Sequence, residues 1–199
     1  MKKVLITGGA GFIGYHLANK LLENEYQIDL LDNFSRGVND TQISALAKNE
    51  RINLINADLL LPNIQNKLNK DYSYIYHLAA VIGVQHVLKS PYEVLDKNIH
   101  LLRNTIDIAR DQVDLDRFVF ASTSEIYAGT LKHYGIDIPT NEEVKLTIDD
   151  IKSPRTTYML SKMYGESILF NYGFKYNIPF TIVRYHNVYG PRMGFLHVI

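Results

Sequence analysis

Tyr158 and Lys162 stand four residues apart in the run Tyr158-Met159-Leu160-Ser161-Lys162. On a helix that spacing puts a phenol and an ammonium on one face. An ammonium beside a phenol lowers its pKa by stabilising the phenolate, so the pair can take a proton from an alcohol or sugar hydroxyl. The same ammonium can hold ribose hydroxyls. Such a pair also occurs on ordinary helix surfaces, so it needs companions. Ser122-Thr123-Ser124-Glu125-Ile126-Tyr127 supplies one, directly behind the apolar run Phe118-Val119-Phe120-Ala121. Hydroxyls at the carboxyl end of a sheet strand stand where doubly wound folds bind ligands. There Thr123 can hydrogen-bond a reacting hydroxyl while Tyr158 abstracts its proton. The alternative is that these hydroxyls only shape a strand-end turn.

A second group of residues suits a dinucleotide. Thr7-Gly8-Gly9-Ala10-Gly11-Phe12-Ile13-Gly14 follows the apolar run Val4-Leu5-Ile6. A strand that feeds a glycine turn and then a helix N-terminus makes an anion site. Gly8 permits the tight turn, Gly11 lets backbone N–H groups reach a pyrophosphate, and Gly14 lets the helix pack closely on the sheet. Asp32 ends the next apolar run, where a carboxylate can accept hydrogen bonds from the adenosine ribose. It would repel a 2′-phosphate, which favours NAD over NADP. Arg36 works the other way, since a guanidinium there can hold that phosphate. Asp32 could also only cap the turn through Asn33-Phe34-Ser35-Arg36-Gly37. Asp58 leaves a third apolar run and can reach an adenine amino group or cap a helix.

Positioning these residues requires a parallel sheet wrapped by helices, because short apolar runs alternate with helical patterns. The patterns predict strands over 3–7, 27–32, 52–56, 73–78, 117–122 and 179–185. They predict helices over 12–24, 40–48, 91–110 and 156–175, with a weaker one at 62–69. Asp40 gives a helix start signal, and Pro91 sits where a first-turn proline is tolerated. The segment 129–153 reads as an extended loop with a short helix, at an edge where loops border ligands. The fold class is α/β, a doubly wound parallel sheet.

Composition narrows the function classes. The chain of 199 residues is long enough for one sizeable domain. Lys and Arg together number 21, as do Asp and Glu, so no basic field attracts nucleic acid or anionic membranes. The absence of cysteine excludes disulfides and thiolate catalysis and fits a cytoplasmic enzyme. Met1-Lys2-Lys3 before Val4-Leu5-Ile6 imitates a signal peptide, but glycines cut the apolar run after three residues. No stretch approaches a membrane span, and no metal-ligand spacing is present.

Together with Arg184-Tyr185-His186-Asn187-Val188-Tyr189-Gly190-Pro191-Arg192, these motifs occur in an order that resembles the extended short-chain dehydrogenase/reductase family, in its nucleotide-sugar epimerase/dehydratase branch. The resemblance covers essentially the whole chain. It implies a Rossmann fold over 1–199, bound NAD, a UDP-, GDP- or dTDP-sugar substrate, and a place in nucleotide-sugar or surface polysaccharide biosynthesis. It places Gly8, Gly11, Phe12, Ile13 and Gly14 at the pyrophosphate, and Asp32, Asn33, Ser35 and Arg36 around the adenosine ribose. Asp58 and Leu59 would border adenine. Leu78-Ala79-Ala80 would lie along the cofactor, supported by Asn98. Tyr158 would be the base and Lys162 its activator, with Tyr185 on the nicotinamide side. Thr123, Ser124 and Asn187 would meet the substrate. The shared first step is oxidation at the sugar's C4, giving a transient 4-keto sugar. Glu125 resembles the acid–base glutamate of UDP-glucuronate decarboxylases and GDP-mannose 4,6-dehydratases. A non-catalytic NAD-binding module is the reading from another class. Relatives dimerise through helices like 91–110 and 156–175, so a homodimer is implied by analogy.

The sequence also departs from the family. Ala128 replaces a usual glycine, His186 a usual phenylalanine, and Val81 and Ile82 lack a polar residue that some epimerases carry. The stretch from Glu125 to Tyr158 is long. Family members continue after Gly-Pro-Arg into a lobe that holds the substrate's nucleotide, while this sequence stops at Ile199. The expectation is a piece of a longer product or a reduced form, with NAD binding kept and turnover weak or lost unless that lobe is supplied.

Overall fold

Residues 3–7 and 27–32 read as nearly unbroken apolar runs, as strands buried on both faces must. In the computed structural model, which describes residues 1–194, they form β1 (Lys3–Thr7) and β2 (Gln27–Asp32). Four more strands follow: β3 (Ile52–Asn56), β4 (Tyr72–His77), β5 (Arg117–Thr123) and β6 (Phe180–Tyr185). All pair in parallel, in the order β3-β2-β1-β4-β5-β6. The chain winds outward from β1 in one direction and from β4 in the other. The crevice between their carboxyl ends is therefore the topological switch point, where such sheets bind ligands.

The helices are α1 (Phe12–Leu22), α2 (Thr41–Leu46), α3 (Val84–Lys89), α4 (Pro91–Arg110), α5 (Ala128–Tyr134) and α6 (Thr156–Tyr176). Alternation along β1 divides the core. Val4 and Ile6 pack with Ala18 of α1, and Leu5 packs on the other face with Leu102 and Ile106 of α4 and Leu169 of α6. α4 occupies the predicted 91–110. Asp40 caps α2 as its sequence signals, its Oδ1 accepting the N–H groups of Gln42 and Ile43. The weak helix expected at 62–69 shrinks to one 3-10 turn, Ile64–Lys67. α3 is not in the sequence reading. It is six residues long, opens at Gly83 with φ 111°, and is too short to show a helical period.

Candidate active site

The glycine turn has the geometry that its spacing predicts. Gly8 sits at φ 71° with its N–H on the Leu31 carbonyl at 2.8 Å. A Cβ on Gly14 would stand 2.6 Å from the Gly8 carbonyl oxygen, so α1 can press onto the turn only without one. Gly11 is the N-cap of α1, and no side chain caps that end. The first-turn N–H groups beside Phe12 and Ile13 thus lie over the switch point, with the positive end of the helix dipole.

At the far ends of β2 and β3 the carboxylates cap their own turns and tie neighbouring loops. Asp32 Oδ1 accepts the Phe34 N–H at 2.8 Å, which closes its own turn. Its Oδ2 accepts the Ala10 N–H of the glycine turn at 3.0 Å, which ties the two loops together. Burial pushes its carboxyl up, against the pull of these donors. Each oxygen keeps a lone pair for a further donor. Asp58 Oδ1 caps its own turn at Leu60 N, 2.8 Å, and its Oδ2 accepts from Asn33 Nδ2 at 3.1 Å. Asn33 Oδ1 in turn accepts the Ser35 N–H at 3.0 Å. The Leu59 side chain is buried in the hydrophobic core with Leu101, Leu102 and Ile106 of α4.

Leu78-Ala79-Ala80 leaves β4 against the glycine turn, with the Ala79 N–H on Thr7 Oγ1 at 3.3 Å. Asn98 acts on this stretch from below. Its Oδ1 accepts the Val81 N–H at 2.7 Å, and its Nδ2 donates to the Val81 carbonyl at 3.0 Å and to Ser161 Oγ at 3.3 Å. Asn98 is thus a bracket that shapes the crevice wall.

The residues expected to do chemistry lie at and beside the end of β5. Thr123 is buried there, its Oγ1 accepting the Glu125 N–H at 3.3 Å, which leaves its O–H to donate. Ser124 opens the 3-10 turn Ser124–Tyr127. Met159, beside Tyr158, packs on Ile126 and Tyr127 of that turn, which fixes α6 against it. Lys162 is 5% exposed, and its Nζ donates to the Ala121 carbonyl at 2.7 Å. Its ammonium lies 5.0 Å from the Phe120 ring centre and 5.6 Å from that of Tyr158. Burial lowers the Lys162 pKa to about 8.

The pair differs from the sequence expectation in one respect. The Tyr158 phenol is not eased towards phenolate. Burial raises its pKa above the ordinary tyrosine range, Glu125 adds to the rise, and only Arg36 pulls it down. The reason is geometric, since the Lys162 ammonium is turned onto the Ala121 carbonyl and the Phe120 face. Burial also raises the Glu125 carboxyl, with Arg155 opposing. Tyr185 is half-buried at the end of β6 and its phenol is likewise raised by burial, while Asn187 is exposed just beyond.

Two groups behind these residues escape sequence reasoning. Glu166, one turn beyond Lys162, is buried and accepts both Arg184 Nε at 3.0 Å and Nη2 at 2.7 Å, plus Ser122 Oγ at 2.6 Å. Arg184 Nη1 continues to Tyr127 Oη and the Glu142 carbonyl, both at 2.7 Å. The network locks α6, β5, β6 and the 3-10 turn around the site. The i, i+4 step from Lys162 to Glu166 was the one signal available. His77 is the other group. Burial and the Lys162 charge lower its pKa to about 3, so it is neutral. Its Nδ1 lies 3.0 Å from both Thr7 and Thr105 Oγ1, and its ring stacks on Phe120. Among the described residues no cluster of side chains could hold a metal ion, and no helix is long and apolar enough to cross a membrane.

Comparison with known proteins matches residues 4–198 to the model of the NAD dependent epimerase/dehydratase family. A UDP-N-acetyl-alpha-D-glucosaminuronate decarboxylase of Bacillus cytotoxicus is 33% identical over 96% of this chain and 56% of its own length. A solved UDP-glucuronic acid 4-epimerase from Bacillus cereus, in complex with UDP-glucuronic acid and NAD, is 31% identical with a TM-score of 0.74, covering 96% of this chain and 58% of its own. A UDP-N-acetylglucosamine 4-epimerase from Methanobrevibacter ruminantium, solved with UDP-N-acetylmuramic acid, superposes with a TM-score of 0.80 at 26% identity, over 99% of this chain and 60% of its own. The chain thus spans little more than half the length of these relatives.

Proposed function

This chain belongs to the NAD dependent epimerase/dehydratase family, and we propose that it carries the cofactor and proton-transfer half of a nucleotide-sugar enzyme that works through a transient 4-keto sugar. The observation that carries this reading is the Tyr158–Lys162 pair of α6 held against the end of β5, where Lys162 Nζ bonds the Ala121 carbonyl two residues before the buried Thr123, with an uncapped helix N-terminus at the switch point. The residues fit a dinucleotide. The α1 N–H groups suit the pyrophosphate, Asp32 the adenosine ribose, and Asn33, Ser35, Arg36 and Asp58 the surrounding surface. The Ala79 and Ala80 stretch would flank the cofactor, and Tyr185 the nicotinamide. Bound NAD supplies a hydride acceptor and donor. Thr123 holds the sugar's C4 hydroxyl, and Tyr158 removes its proton. Lys162 holds ribose hydroxyls. Ser124 and Asn187 contact the substrate, a UDP-sugar on the pattern of the relatives, in nucleotide-sugar or surface polysaccharide biosynthesis. A homodimer through α4 and α6, which pack together, fits the exposed Phe170 and Phe174 on α6.

A second reading rests on Glu125. Its carboxyl lies close enough to act on the Tyr158 phenol, and a raised pKa suits acid–base work next to C4, as decarboxylation or 4,6-dehydration requires. The test incubates the full-length protein with NAD and UDP-, GDP- and dTDP-sugars while reduced-cofactor absorbance and product mass are followed. Unchanged mass supports epimerisation, loss of water dehydration, and loss of carbon dioxide decarboxylation. Tyr158→Phe is expected to cut absorbance formation by about a hundredfold or more and to leave NAD affinity intact. In the full-length protein, NAD binding with no absorbance change from any sugar nucleotide would instead favour the non-catalytic module.

A further inference from the structure

Arg192 ends the Gly190-Pro191-Arg192 signature, and nothing in the proposed chemistry uses it. Its position in the fold is informative. β6 is one edge of the sheet, while α2 follows β2 towards the other edge, and the switch-point crevice lies between them. The segment after β6 reaches α2 across the first turns of α1, whose N-terminus lies at that crevice. A Cβ on Gly190 would stand 3.5 Å from the Phe12 ring at the start of α1. His16 Nε2 donates to the Pro191 carbonyl at 2.9 Å. The Arg192 guanidinium lies 4.4 Å from the Tyr15 ring centre, and its Nη1 donates to Asp40 Oδ2 at 2.6 Å and Gln42 Oε1 at 2.7 Å. Arg192 and Asp40 are 152 positions apart in the chain.

The geometry points to Arg192 as a positioning residue for the dinucleotide: it straps the segment that carries Tyr185 and Asn187 to the loop that carries Asn33, Ser35 and Arg36, and so closes the crevice over the cofactor. Three features support this. The Arg192 side chain is only 10% exposed although its residue follows an edge strand. Asp40 divides its oxygens, Oδ1 capping α2 and Oδ2 taking Arg192, so one carboxylate fixes both the loop's exit and the strap. Arg192 also holds a left-handed backbone, φ 71°, which a non-glycine residue rarely adopts without surrounding contacts to impose it. A ligand under such a strap leaves only when the strap opens, so the strap acts on the dissociation rate.

This inference rests on the dinucleotide reading of the crevice, and one experiment separates the two. NADH release from the full chain is timed by its fluorescence for wild type, Arg192→Gln, Asp40→Asn and the double variant. Asparagine keeps the α2 cap. Each single variant is expected to release NADH about five- to tenfold faster, and the double variant no faster than either single, as coupled partners require. In a chain with no native cysteine, Gln42→Cys with Arg192→Cys joined by a short bismaleimide is expected to release NADH more slowly than wild type. NADH that binds wild type but leaves the variants and the cross-linked chain at the wild-type rate overturns the strap and leaves the cofactor site standing. Wild type that binds no NADH overturns the cofactor site, and the strap with it.

Discussion

Lys162 shows what burying an ammonium does to stability. The sequence marks it as the ammonium four residues after Tyr158, and the fold places it against the Ala121 carbonyl and the Phe120 ring. With a folded pKa of about 8 against an ordinary 10.5, the native state binds fewer protons than the unfolded state between those values. Stability from this group therefore rises with pH through that window, and below about pH 8 the buried charge is a liability. Lys162→Met is expected to raise the unfolding free energy at pH 7 by about 1–2 kcal/mol. That advantage should shrink as pH approaches 10. Urea unfolding at pH 7 and pH 9.5 checks both, and a variant less stable than wild type at pH 7 would refute the argument. The direction of the Tyr158 shift was not legible from spacing, because four residues on a helix fix a face but not where an ammonium points.

At the scale of elements, the helix that carries the pair is seated by small residues. α6 lies on the sheet at Gly165, where a Cβ would come within 2.5 Å of the Phe120 ring and 2.9 Å of Leu102. Phe120 also supports Lys162 and stacks on His77, so it cannot move aside freely. Gly165→Ala is expected to cost about 1–3 kcal/mol by overpacking, read as a lowered urea midpoint with unchanged slope. The long helices and all six strands were legible, because each sustains its hydrophobic period over enough residues. The ends were not. β5 runs one residue further than expected, through Thr123, and β4 lies one residue earlier. α3 was missed because six residues after a glycine carry no readable period.

Across the whole molecule, charge and exposed apolar surface act together. Formal net charge is zero at pH 7 and the isoelectric point is near 7.1, so nothing repels one copy from another at neutral pH. Phe174 is 86% exposed and Phe170 59% exposed on one side of α6. Light scattering is expected to show strongest self-association near pH 7 and less two pH units away on either side. Phe174→Ser should weaken it at pH 7 without moving the thermal midpoint by more than about 2 °C, since an exposed side chain contributes little to folding. Scattering unchanged by both pH and substitution would remove this surface from consideration.

The sequence by itself determined the periodic and local features. These are the strand and helix alternation, the glycine turn and its helix, the α2 cap, and a tyrosine and a lysine on one helical face. Such features follow from interactions among residues a few positions apart, which composition and spacing record directly. Only the tertiary structure decided the strand order, the orientation of the Lys162 ammonium, the Glu166–Arg184 network and the reach of Arg192 to Asp40. Those pairings join residues from 18 to 152 positions apart, and their geometry depends on how the sheet winds and what packs between them.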